Sequence, residues 1–184
     1  GRKLAIITED KITGLEVVSH MQFYDGIAVV RSWTEIINKG NEAQGLEYVS
    51  SFALNGIDKE GMTDFDEKME LWIPHNGWQK ELCWEKYTLK ELGLSVTQPK
   101  IMHRSSKTIS VCNIGNWSTK EHIPMGYVHN REMNASLFWQ IEHNGSWYWE
   151  ISDQDGHVYL KLSGPTEHHN SRVIKVNHHK ELIA

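Results

Sequence analysis

Apolar and polar residues alternate with a period of two through most of this chain, and long runs at helical spacing are missing. "LAII" (4–7) and "LEVVSHMQFY" (15–24) are rich in β-branched and aromatic residues, which suit a pleated, half-buried surface. "KITG" punctuates the space between them. Asp25-Gly26 then stands between "MQFY" and "IAVVRSWTEIIN", and such a pair tolerates the positive φ angles of a type I′ turn. A two-residue loop there sets Tyr24 opposite Ile27, Phe23 opposite Ala28 and Met21 opposite Val30. Alternation then predicts a core face made of Met21, Phe23, Ala28 and Val30. After the turn cluster "NKGNEAQG" (38–45), "LEYVSSFAL" (46–54) reads as the next strand of an antiparallel meander.

Residues 55–66 are polar and glycine-containing, a loop, and "DFDE" (64–67) is most simply solvated. "KMELWIPHN" (68–76) reads as a strand that Pro74 should end or place at an edge, because proline offers no ladder donor. Within "WQKELCWEKYTLKELGL" (78–94) the spacing allows a short helix near 88–92. "KTISVCNIGNWS" (107–118) is strand-like. "MGYVHN" (125–130) and "SLFWQIEHN" (136–144) pair around "REMNA", and "HVYLKLSGP" (157–165) adds a further strand. Many short strands at hairpin spacing predict an all-β, two-sheet antiparallel sandwich with little helix, the whole of 1–184 forming a single domain.

The stretch "WQIEHNGSWYWEI" (139–151) holds three tryptophans and a tyrosine around Asn144-Gly145. A two-residue turn there sets His143 opposite Ser146, Glu142 opposite Trp147 and Gln140 opposite Trp149. One face then carries Phe138, Gln140, Glu142, Trp147, Trp149 and Ile151. The other carries Trp139, Ile141, His143, Ser146, Tyr148 and Glu150. Rings alternating with amide and carboxylate groups suit a sugar, whose CH faces stack on indole while its hydroxyls need donors and acceptors. They equally suit a core or a domain interface. Trp147, Trp149, Gln140 and Glu142 are therefore the candidate substrate-binding residues.

Composition narrows the class. The chain has 184 residues and a net charge of −5 with no basic block, which argues against a nucleic-acid partner. No apolar run reaches the roughly 20 residues needed to span a bilayer, and no secretory signal opens the chain. Cys83 and Cys112 lack metal-like spacing and read as reduced thiols of a cytoplasmic protein. Asn116, Asn134 and Asn144 begin Asn-x-Ser/Thr triplets, which are common by chance. His168-His169 and His178-His179 would point to opposite faces in extended strands, so neither pair chelates by itself. No catalytic constellation, metal site or cofactor motif is expected.

Several longer strings carry a resemblance. "HMQFYDGIAVVRSWTEIINKGNEAQGLEYVSSFAL" (20–54), "KMELWIPHNGWQKELCWEKYTLKELGL" (68–94), "GNWSTKEHIPMG" (115–126), "LFWQIEHNGSWYWEISD" (137–153) and "YLKLSGPTEHHN" (159–170) together resemble the N-terminal region of bacterial α-galactosidases (melibiases), glycoside hydrolase family thirty-six. The resemblance implies a galactose-mutarotase-like β-supersandwich placed ahead of a catalytic TIM barrel. It also implies a parent enzyme that removes terminal α-linked galactose from melibiose, raffinose and stachyose with retention, often as a homo-oligomer. The family's two catalytic aspartates lie on the barrel, and its Lys-Trp-Asp-x-Asn nucleophile motif is absent here. The chain is thus expected to be the later part of the sandwich, a non-catalytic segment with the barrel as its partner. Two other classes compete: a free-standing carbohydrate-binding module using the tryptophan-rich stretch, and an aldose-mutarotase-like enzyme, which would need a carboxylate base with histidine partners.

Overall fold

The computed structural model describes residues 1–96, 107–170, 174–177 and 181–183. In chain order the elements are β1 (Arg2–Asp10), β2 (Leu15–Phe23), β3 (Val30–Asn38), β4 (Gln44–Leu46), β5 (Ser50–Asn55) and α1 (Phe65–Lys68). There follow β6 (Met69–His75), β7 (Cys83–Thr88), β8 (Ile109–Asn113), β9 (Met125–Asn130) and β10 (Ala135–Gln140). The last are β11 (Trp147–Gln154), β12 (His157–Ser163), α2 (Glu167–Asn170), β13 (Ile174–Val176) and β14 (Glu181–Ile183). Helix among the described residues is confined to two single turns, so the all-β expectation holds. The chain divides into two compact units, Gly1–Phe52 with Ser163–Ala184, and Ala53–Leu162.

In the first unit, β1, β2, β3 and β14 form one antiparallel sheet in that order, and β13 pairs with β4. Val18, Ile36, Val49 and Val176 are buried there. Asn38, also buried, donates from its amide to the carbonyls of Glu42 at 2.8 Å and Val176 at 2.9 Å, tying the end of β3 to β13. His20 stacks on Trp33 with ring centroids 4.7 Å apart and reaches the Glu35 carboxylate at 3.0 Å.

The expected first hairpin is corrected in this unit. Phe23 pairs with Val30 and Met21 with Ser32, so the loop between β2 and β3 is six residues long. Gly26 has φ +77° but Asp25 has no positive φ, which excludes a type I′ turn. The predicted core face fails with it: Phe23, Ala28 and Val30 are exposed and Met21 is half-buried. The buried positions lie farther from the loop, at Val18, His20, Thr34 and Ile36. Nor does "LEYVSSFAL" continue the meander. It splits between β4 and β5, and the neighbour of β3 is β14.

The second unit is a sandwich of two four-stranded antiparallel sheets. One has the order β10-β9-β6-β7, and the other β5-β12-β11-β8, with β5 running across the boundary of the units. The "REMNA" turn pairs Ala135 with Asn130 and Gln140 with Met125, as the alternation predicts. Pro74 stays inside β6 and pairs with Trp84, while the ladder between β6 and β9 stops at Trp72, so proline ends pairing on one side only. The 88–92 segment is a single capped turn rather than a helix. The Thr88 hydroxyl accepts from the Glu91 amide, and the Glu91 carboxylate accepts from the Thr88 amide, a reciprocal capping box. "DFDE" is not a solvated loop, since Phe65 and Asp66 in α1 are buried. His168-His169 lies in the helical turn α2 rather than a strand. His178-His179 lies outside the described residues.

The core of this sandwich explains most of the aromatic run. Trp147, Tyr148, Trp149, Glu150 and Ile151 in β11 are all buried, and Trp147 and Trp149 are 0% exposed. Trp139 of β10 meets Trp149 edge-to-face at 5.2 Å, so the rings join one sheet to the other. Gly126 makes room for this packing. It pairs with Trp139 across the ladder, and a Cβ there would lie 2.2 Å from the Trp139 indole.

Candidate functional site

The sheet β10-β9-β6-β7 buries Leu71, Ile73, Val128 and Trp139 on one face. Alternation then sends Trp72, Tyr127 and Phe138 to the other. Register aligns them: Trp72 pairs with Tyr127, and Tyr127 pairs with Phe138. Lys86 extends the row, opposite Trp72 on β7. Trp84 stands in the neighbouring row, opposite Pro74. Trp72, Trp84, Tyr127 and Phe138 together line an open depression of about 390 Å³. Phe138 is 53% exposed and is the most open of the four rings.

The rings are set by their neighbours. Trp72 and Tyr127 are near-perpendicular, 76° at 6.3 Å, an edge-to-face arrangement. Tyr127 and His129 lie two residues apart on β9 with ring planes within 7°. A polar row borders the rings. The Ser136 hydroxyl is 2.7 Å from the Tyr127 hydroxyl and 2.9 Å from His129 Nδ1. Glu70, in the same row by register, is bridged by Lys86 at 3.2 Å and Arg131 at 3.6 Å. Lys86 Nζ also sits 5.9 Å from the centre of the Trp72 ring. The surface therefore offers partly exposed rings beside hydroxyl, imidazole and ion-pair groups.

The candidates read from sequence do not gather into one site. The Asn144-Gly145 hairpin does not form, because β10 and β11 belong to different sheets and 141–146 is the connection between them. Trp147 and Trp149 consequently sit in the core and present no ring face to a sugar. Glu142 is exposed on the connection. Gln140 is exposed two residues beyond Phe138, and so lies on the same sheet face as the depression. The two-residue turn occurs instead at Asp155-Gly156, where φ is +52° and +76°, as type I′ requires. Sequence reasoning missed Trp72, Trp84 and Tyr127. Their signal was present as period-two positions in "ELWIP", "CWEKY" and "MGYVH", but only strand order shows that they meet.

A buried carboxylate lies elsewhere in the same unit. Glu150 on β11 receives the hydroxyls of Tyr148 and of Tyr159, the latter at 3.0 Å, and pairs with Lys161 at 2.6 Å. Burial acts to raise its pKa, but the hydrogen bonds and charge of Lys161 and the tyrosine hydroxyls outweigh it, and the carboxyl is held below the ordinary glutamate value. This satisfaction is what allows a carboxylate inside a strand covered on both faces. Among the described residues no group of histidine, cysteine and carboxylate side chains is arranged to hold a metal.

Comparison with solved structures places the whole fold. The GH36 α-galactosidase AgaA of Geobacillus stearothermophilus matches with a TM-score of 0.76 at 15% identity. The match covers 98% of this chain and 22% of that one. The fold is that of a segment of GH36 α-galactosidases. AgaB from the same organism gives a TM-score of 0.75 over the same share of each chain. A variant of AgaA solved with stachyose also gives 0.75. No protein-family model matches the sequence, and no curated protein matches it significantly. The likeness is therefore one of fold, and the chain spans about a fifth of the length of these enzymes.

Proposed function

We propose that this chain is a non-catalytic part of the N-terminal β-supersandwich of an α-galactosidase, with a catalytic TIM barrel as its partner. The parent enzyme would release terminal α-linked galactose from oligosaccharides such as melibiose and raffinose. The observation that carries the reading is the end-to-end match of this chain to one segment of much longer GH36 enzymes. The site chemistry agrees. Retaining hydrolysis needs two carboxyl groups about 5 Å apart across the scissile bond, whereas the depression is lined by four rings. In this role the sandwich folds by itself around its indole core and supports the barrel and its assembly into oligomers. The test is an assay of the 184-residue chain with p-nitrophenyl α-galactoside at high protein concentration. The expected result is no turnover above the uncatalysed rate. Turnover that survives repurification would overturn the reading.

A further inference from the structure

One exposed and three half-buried rings stand together on four adjacent strands, a contiguous patch rather than scattered single residues, and their arrangement restricts what they can receive. The depression, about 390 Å³, is within the range of small-ligand sites. A protein partner needs about 800 Å² of contact on each side, and on one side the rings give way to Lys86, Glu70, Arg131 and His129. A purely apolar ligand would leave the Ser136, Tyr127 and His129 groups beside it without use. A pyranose meets both demands, since its CH face covers a ring while its equatorial and axial hydroxyls reach the polar border.

We propose that the outer face of the β10-β9-β6-β7 sheet is a non-catalytic carbohydrate-binding surface for neutral pyranose oligosaccharides. Trp84, Trp72 and Phe138 provide the stacking platform, and Gln140 follows Phe138 on the same face. Ser136, with Tyr127 and His129, forms a connected donor and acceptor group at its border. Trp78, in the loop joining β6 to β7, is 86% exposed. The site thus runs along several rings rather than enclosing one sugar, and affinity should grow with oligosaccharide length. That a galacto-configured chain is the preferred ligand rests on the α-galactosidase reading above. The stacking surface does not.

The test is a heteronuclear NMR titration of the whole chain with galactose, raffinose, stachyose and, as the gluco-configured arm, maltotetraose. The expected result is saturable shifts at the Trp72, Trp84, Tyr127 and Phe138 signals, with stachyose tighter than raffinose and raffinose tighter than galactose. Trp84→Ala and Phe138→Ala, each checked for an unchanged fold by its spectrum, should weaken binding by about tenfold, the size of one lost ring contact. Ser136→Ala should weaken it less. Saturation by maltotetraose with no response to stachyose would support the surface and count against the α-galactosidase reading. Absence of saturable shifts with every sugar, or binding that both ring variants leave unchanged, would overturn the surface and leave that reading standing.

Discussion

Two sets of aromatic rings in the second unit have similar chemistry and opposite fates. Trp139, Trp147 and Trp149 lie between the sheets, and Trp147 and Trp149 have no exposed surface. Trp72, Trp84, Tyr127 and Phe138 lie on the outer face of one of those sheets around an open depression. Trp139 belongs to the same strand as Phe138, one residue away. A single step along β10 separates a structural ring from an exposed one. Aromatic enrichment by itself is therefore no guide to binding, and the side of the pleat decides.

The largest expected effect falls on the buried set. Trp149→Ala should cost about 3–5 kcal/mol, the range for emptying a core ring position, and urea unfolding would measure it. Phe138→Ser, one sheet face away, should stay within about 0.5 kcal/mol. Equal losses in the two variants would break the comparison.

The seat of the inner ring comes next. Gly126→Val should displace the Trp139 indole and destabilise the chain by about 1–3 kcal/mol, as overpacking does. The companion change is Gly156→Val, in the Asp155-Gly156 turn, where a β-branched residue resists positive φ. A melting temperature within a degree of the parent for Gly126→Val would show that the indole does not lie over that glycine.

A smaller effect should appear in acid. Because the native environment holds the Glu150 pKa below its ordinary value, its contribution is fully present above the unfolded glutamate pKa. It is lost as pH falls through the lower folded-state value. Glu150→Gln should be less stable near neutrality and should show a shallower loss between those two values. An acid limb identical to the parent's would remove Glu150 from the account.

Much of this could be read from the sequence, and the failures share a cause. Alternation located β6, β9 and β12 within a residue or two and placed the β9–β10 pairing correctly, because local period and turn chemistry suffice there, but it carried β10 on to His143-Asn144, past its end at Gln140. It erred at Asp25-Gly26 and Asn144-Gly145, where turn-favouring dipeptides sit in a six-residue loop and in a connection between sheets. A dipeptide reports which φ angles it tolerates, not which strands flank it. Only at Asp155-Gly156 do both agree. The candidate site failed for a related reason. A turn at Asn144-Gly145 would pair Trp147 with Glu142 and Trp149 with Gln140, whereas strand order sends β10 and β11 to different sheets. The face that does gather rings draws on β6, β7, β9 and β10, and sequence spacing carries no record of that adjacency.

One aromatic set is sealed in the sandwich while the other lines an open depression. Photochemically induced nuclear polarisation with a flavin dye tests it directly, since only tryptophan, tyrosine and histidine rings that the dye can touch are enhanced. Enhanced signals are expected for Trp72, Trp84 and Tyr127, and silence from Trp139, Trp147 and Trp149. Enhancement of Trp147 or Trp149, or silence from Trp72 and Trp84, would contradict it.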